Sequence, residues 1–161
     1  MQISRRTFTS AAAALAASAL LPLTASAQSL ADLKKKGKIT VGMLVDFPPY
    51  GILNSSNQPD GYDADVAKLL AKEWGVTAEI VPVTGPNRIP FLLTNKVDML
   101  IASLAITPER AKQVLFSKPY SAASIVLYAA TKTAIKGPEN LKGLRVGVAR
   151  ASTQDVAVTK A

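Results

Sequence analysis

One repeating order constrains this chain more than any other feature. Runs of β-branched and aliphatic residues are each followed by a loop and then by a segment of helical periodicity. Lys38–Leu44 (KITVGML), Val76–Val83 and Val97–Ser103 read as strands, the last of them buried. Between the first two, Val66, Leu69, Leu70 and Trp74 recur at helical spacing from Asp63 to Gly75. Strands alternating with helices favour a mostly parallel sheet covered on both faces, so the expected fold class is α/β. Shorter helices are predicted after Ser29, at Arg88–Thr94 with Asn87 as cap and Pro90 in the first turn, and after Thr107 with Pro108 at the first helical position. Ser124–Thr131 reads as a long strand leading out, Val146–Ala149 as a fresh strand, and Ser152–Asp155 as another helix start.

In open α/β sheets ligands bind outside the carboxyl ends of the strands. The loops at those ends are residues 46–51, 84–88, 103–110 and 150–154, and three of them carry an arginine. Arg110 stands at the third position of the helix begun by Thr107, beside unpaired backbone N–H groups, an arrangement that suits a carboxylate. The alternative on spacing alone is an exposed arginine paired with Glu109. Arg88 also follows a strand and carries the same two readings. Phe47 and Tyr50 flank Pro48 and Pro49 and serve either as an aromatic wall or as packing under their loop. Asp60, Asp63 and Asp65 lack the ligand order of a calcium loop, and acids at a helix start are explained by its dipole, so no metal is expected. Gly143 and Gly147 do not complete a phosphate-binding glycine pattern.

Composition narrows the chemistry. The chain has no Cys and no His, which excludes disulfides, thiolate nucleophiles, imidazole metal sites and Ser–His pairs. No serine is followed three residues later by lysine, so the commonest histidine-free acylation pair is missing as well. The balance favours a binder over an enzyme, with no cofactor. A net charge of +8 would suggest nucleic acid in a cytoplasmic protein, but residues 1–27 read as an export leader and no aromatic–basic interleaving follows. Arg5 and Arg6 precede the apolar run Ala11–Leu21, which is too short to span a membrane; Pro22 ends it, and Ala25-Ser26-Ala27 supplies a cleavage site. The pair in Ser4-Arg5-Arg6-Thr7-Phe8 looks like a twin-arginine signal, with a general secretion signal as the alternative. Either implies a periplasmic protein cleaved after Ala27.

Gly61-Tyr62-Asp63-Ala64-Asp65-Val66-Ala67, followed by Leu69-Leu70-Ala71, resembles the signature helix of the amino-acid-binding (family 3) solute-binding proteins of ABC importers. Asn87-Arg88-Ile89-Pro90, Lys96-Val97-Asp98, Ile106-Thr107-Pro108-Glu109-Arg110 and Phe116-Ser117-Lys118-Pro119-Tyr120 follow in the family's order. The resemblance implies a type II periplasmic-binding-protein-like clamshell whose two α/β lobes close on a free amino acid. Residues 28–131 would form the first lobe and 132–161 the start of an incomplete second one, with a hinge crossing at Thr131–Lys132. By the same resemblance Arg110 grips the ligand α-carboxylate, Ser103 contacts the ligand, Ala105 offers its backbone N–H and Phe47 packs on the ligand side chain. Arg88 meets a second acidic group, and Thr153 helps the second lobe close.

The implied function is capture of a free polar or acidic amino acid for the membrane permease of an ABC importer, by a monomer that binds no nucleic acid. Gly85 stands where many members carry a second aromatic, Leu44 where some carry a charged selector, and Ala64 where a larger aliphatic is common. The family's acidic partner for the ligand ammonium falls beyond Ala161. The chain therefore reads as C-terminally truncated, with half a cleft and weak or absent binding. Two rivals share the scaffold: a cyclohexadienyl-dehydratase-like enzyme and the sensor domain of a larger receptor.

Overall fold

The computed structural model describes residues 29–160, so the leader assigned to residues 1–27 lies outside the described residues. Helix α1 (Leu30–Lys36) begins at a reciprocal cap: Ser29 Oγ accepts from the Asp32 N–H at 3.2 Å, and the Asp32 carboxylate accepts from the Ser29 N–H at 3.2 Å. Gly37, at φ 69°, ends the helix in the left-handed conformation and feeds β1 (Lys38–Leu44). A short antiparallel pair follows, β2 (Ile52–Leu53) and β3 (Pro59–Asp60), and then α2 (Tyr62–Trp74) and β4 (Thr77–Val83). Next come α3 (Arg88–Leu93), β5 (Met99–Leu100) and the single turn α4 (Pro108–Ala111). A 3₁₀ turn at Pro138–Leu141 and α5 (Thr153–Lys160) complete the described chain.

The sheet is parallel, in the order β4-β1-β5, with Lys38 opposite Thr77 through to Leu44 opposite Val83. Alternation along β1 sorts its side chains between two faces. Ile39 and Val41 join Leu33, Ala67, Ala71 and Ile101 under α1 and α2. On the opposite face Leu44, Val83 and Ala102 pack against Phe91 of α3. The expected two-sided cover is thus present. The residues at the centre of α2's buried face differ from the periodic ones: Ala64, Ala67 and Ala71 are buried, while Leu69 is 69% exposed. Small side chains let the helix backbone approach the strands, and Val66, Leu70 and Trp74 close the margins.

Other expectations need correction. The third strand is shorter than Val97–Ser103. Its ladder runs only from the Asp98 N–H on Thr40 O to the Ile101 N–H on Gly42 O, because Ser103 leaves extended conformation at φ 47°. Asn87 does not cap α3; its side-chain oxygen accepts from the Thr84 N–H at 2.7 Å and closes the preceding turn. Ser124–Thr131 and Val146–Ala149 make no ladder among the described residues, and Tyr128 is 88% exposed. A β-prone run becomes a strand only where a neighbour accepts its hydrogen bonds. Every buried apolar residue among those described falls between Leu33 and Val114. Among them no helix is long and apolar enough to cross a membrane.

Asp98 fastens the start of β5 to the rest. Its carboxylate accepts from the Thr40 N–H at 2.7 Å, from the Thr40 hydroxyl and from Lys36 Nζ at 3.2 Å. Partial burial works to raise its pKa, but the Thr40 hydrogen bonds and the Lys36 ammonium outweigh it and hold the carboxyl below its ordinary 3.8. A depressed carboxyl stabilises the fold above its unfolded pKa, and that contribution fades as pH falls through the lowered value. Asp98→Ala should therefore cost about 1–3 kcal/mol in urea unfolding at pH 7. The gap from wild type should narrow in titrations carried below the ordinary carboxyl pKa; a pH-independent gap would contradict the ionic account.

Candidate functional site

Four loops meet beyond the carboxyl ends of β1, β4 and β5. The first turns tightly around Pro48 and Pro49, where Phe47 and Gly51 exchange backbone hydrogen bonds of 2.9 and 3.0 Å. Phe47 is 39% exposed and stacks on Tyr50, with ring centroids 5.8 Å apart. Tyr50 meets Tyr62 edge-on at 6.0 Å, and Tyr62 stacks on Tyr120 at 6.2 Å, so an aromatic row borders the cleft, with Phe47, Tyr50 and Tyr120 among its lining residues. Gly61, at φ 107°, brings α2 beneath this loop; a Cβ there would lie 2.8 Å from Tyr50 O. The Tyr62 and Asp63 N–H groups then donate to Pro49 O at 3.2 Å and Tyr50 O at 2.8 Å.

Arg88, at the start of α3, is only 4% exposed. Nε donates to Gly85 O at 3.2 Å, and Nη1 to Ala102 O at 3.0 Å and Ser103 O at 3.5 Å. Nη2 donates to Ala151 O at 3.3 Å. Burial, and then the neighbouring Arg110 charge, lower its pKa from the ordinary arginine value. Arg110 sits where the sequence places it: Thr107 Oγ1 accepts its backbone N–H at 3.2 Å, as an N-cap should. Its guanidinium donates to Ala105 O at 2.8 Å and to Ala151 O at 2.9 Å.

Two guanidiniums therefore converge on one neutral carbonyl. Their mutual repulsion and partial desolvation make the position between them favourable for an anion. Ala151 itself has φ 60°, and its N–H donates to Asp155 at 3.0 Å. Gly85 admits the turn that carries it, since a Cβ at Gly85 would lie 2.6 Å from Arg150 O. Ser152 Oγ caps α5 by accepting from the Asp155 N–H at 3.0 Å, with Thr153 half-buried behind it.

Phe47, Arg88, Ser103, Ala105, Arg110 and Thr153 all line one cleft of about 1540 Å³. The structure thus brings the sequence-selected residues together. Arg88, however, is engaged by backbone carbonyls from three loops. Sequence reasoning passed over Asp63, Tyr120 and Ala151. Asp63 looked like a dipole-stabilising acid, yet it is fully buried and accepts from Ser103 Oγ and Tyr120 OH, each at 3.1 Å. Burial raises its pKa against the lowering effect of both hydrogen bonds, and burial together with the Asp63 charge raises that of Tyr120. Asp65, two residues on, is exposed and sits 3.6 Å from Lys68. Nothing in the local pattern separates the two acids; the signature-like Gly-Tyr-Asp was the available signal.

An α/β fold with a cationic, aromatic-edged cleft beyond its strand ends has the arrangement in which parallel-sheet proteins bind small molecules. The chain belongs to the bacterial extracellular solute-binding proteins, family 3, which it matches over residues 39–159. It is 35% identical over 116 residues to ABC transporter arginine-binding protein 1 of Escherichia coli K12, covering 72% of this chain and 47% of that one. It is 37% identical over 130 residues to the ABC transporter glutamine-binding protein GlnH of Bacillus subtilis 168, covering 78% and 48%.

Among solved structures, the arginine-bound form of domain 1 from TmArgBP of T. maritima has a TM-score of 0.54 at 42% identity, covering 55% of this chain and 71% of that one. The ancestral amino acid-binding protein AncCDT-1, a precursor of cyclohexadienyl dehydratase, has a TM-score of 0.75 at 37% identity, covering 81% and 60%. The chain spans about half the length of the curated relatives it matches.

If Arg88 ties the loops together, Arg88→Met should leave the buried Ala102 carbonyl unpaired and cost about 1–3 kcal/mol in urea unfolding. Amide exchange at Ser152 should accelerate as the 150–155 turn loosens. A stability equal to wild type would show that the four carbonyl contacts carry no weight.

Proposed function

We propose that this chain is the amino-acid-capturing lobe of an extracytoplasmic receptor serving an ABC importer. The observation that carries the reading is the Arg110 fork, aimed with Arg88 at a single backbone carbonyl of the 150–155 turn. A ligand α-carboxylate would take the place of the Ala151 carbonyl on Arg110 and accept from the Ala105 N–H. Ser103 would contact the ligand's amino end and Phe47 would pack on its side chain. Thr153 would approach from the second lobe, proposed to begin near residue 132 after a first lobe of residues 28–131. Arg88 would reinforce the positive potential and hold the loops, rather than grip a second acidic group.

Names of relatives support a polar amino acid as the ligand class: they include arginine-, glutamine- and cystine-binding proteins. Binding carries more weight than dehydration, because the first curated relatives are all binding proteins, and AncCDT-1 is itself described as amino acid-binding. The leader, the periplasmic destination and the membrane permease as docking partner belong to the same proposal. Domain 1 of TmArgBP is arginine-bound as a single domain, which supports ligand capture by a first lobe alone and weighs against the expectation of weak or absent binding.

Calorimetry with L-arginine, L-glutamine, L-cystine and L-glutamate tests this. At least one should bind, and Arg110→Ala should weaken it by about 10- to 100-fold, as loss of a charge-assisted hydrogen-bonded pair implies. Heat from none of the four, or an unchanged affinity in the variant, would defeat the assignment.

A further inference from the structure

Asp63 and Arg88 are the two buried charged residues among those described, and the ligand-binding reading uses Asp63 for nothing. Arg88 is surrounded by carbonyls. Asp63 receives two hydroxyl groups, Ser103 Oγ on Oδ2 and Tyr120 OH on Oδ1, both at 3.1 Å. It faces no cation within salt-bridge distance among the described residues; the charge rests on these two donors, on the nearby Ser103 backbone N–H and on the N-terminal turn of α2. An ionised carboxylate only accepts, so both hydroxyls must donate to it.

That has a consequence at Ser103. A serine hydroxyl has one proton and two lone pairs. With its proton directed inward to Asp63, Ser103 can present only lone pairs to a group arriving in the cleft. The serine backbone is held at the same time. Its φ of 47° is unusual for a residue other than glycine, and its carbonyl lies 3.5 Å from Arg88 Nη1. Seven residues along the same loop, Arg110 presents only donors. The 103–110 loop thus carries an acceptor at one end and a donor fork at the other. A zwitterionic amino acid carries the matching pair, an ammonium and a carboxylate on one carbon.

We propose that Asp63 is a positioning residue that sets the hydrogen-bond polarity of the ligand site, fixing Ser103 as an acceptor for the amino group of an amino acid. The proposal rests on the reading of the cleft as an amino-acid site. Tyr120 has a separate role: its hydroxyl occupies the second carboxylate oxygen and, with its ring stacked on Tyr62, anchors the 116–120 turn.

The test uses the 161-residue chain with L-arginine and L-glutamine as probes, and compares wild type, Asp63→Asn, Ser103→Ala, the double variant and Tyr120→Phe. For whichever probe binds, Asp63→Asn and Ser103→Ala should each weaken affinity about 10-fold, and the double variant should be no worse than either single one. Tyr120→Phe should lower the melting temperature, because it removes the hydroxyl that ties the 116–120 turn to Asp63. Additive losses in the double variant, or wild-type affinity in a folded Asp63→Asn, would overturn the proposal.

The side-chain rotamer of Ser103, read from NMR scalar couplings, gives a measure independent of ligand. Wild type should show one χ1 state and Asp63→Asn several. If neither probe binds wild type, the amino-acid reading fails and the couplings alone decide the Asp63 role. The wild-type couplings likewise decide if Asp63→Asn does not fold: averaging in the wild-type protein would overturn the Asp63–Ser103 lock.

Discussion

The site depends on one buried cation. In the sheet order β4-β1-β5, the loops that leave β4 and β5 stand two strand spacings apart, about 10 Å, with β1 between them. Arg88 crosses that gap. Its rigid fork reaches Gly85 on its own loop, Ala102 and Ser103 at the end of β5, and Ala151 beyond. A lysine ammonium lacks the span of donors to serve all four positions. The charge is tolerated because carbonyl dipoles replace water around it, and a buried charge deprived of such partners is strongly destabilising. The same carbonyl contacts hold Ser103 at a backbone angle that sequence would not choose freely.

Asp63 mirrors this arrangement from the other side of Ser103. One buried group collects carbonyls and the other collects hydroxyls, and Ser103 is bound to both. The cleft is therefore organised less by charge pairing than by fixing which groups donate and which accept. Arg110, less buried than Arg88, keeps its fork at the cleft, where its partners are backbone carbonyls rather than a carboxylate. A negatively charged group arriving there exchanges a neutral acceptor for a stronger one.

Much of this was legible in the sequence, and the exceptions have physical causes. The β1 and β4 runs, the α2 segment and the Thr107 cap follow from period and turn chemistry, both local. Arg110 could be located because a cap and a proline fix its helix start. The alanine face of α2 is not visible in the sequence because hydrophobic periodicity weights large side chains, whereas close helix–strand contact selects small ones. Asn87 reads as a cap from sequence because one side-chain oxygen can close a turn or cap a helix with equal chemistry. The burial of Asp63 and the convergence of both arginines on Ala151 arise from residues 40 or more positions apart, which no local pattern encodes. The runs at 124–131 and 146–149 have strand composition, but their extended state depends on a pairing partner.

The central claim is that Arg110 and the 103–110 loop form the recognition surface for an amino-acid carboxylate. The most direct measurement is an NMR titration that follows the arginine side-chain nitrogens and the backbone amides as L-arginine or L-glutamine is added. The account predicts saturable shifts at the Arg110 guanidinium and the Ala105 amide, together with a change at Ala151 as its carbonyl is released. Shifts confined to other parts of the surface, or an Arg110 signal that stays fixed while ligand binds, would contradict it.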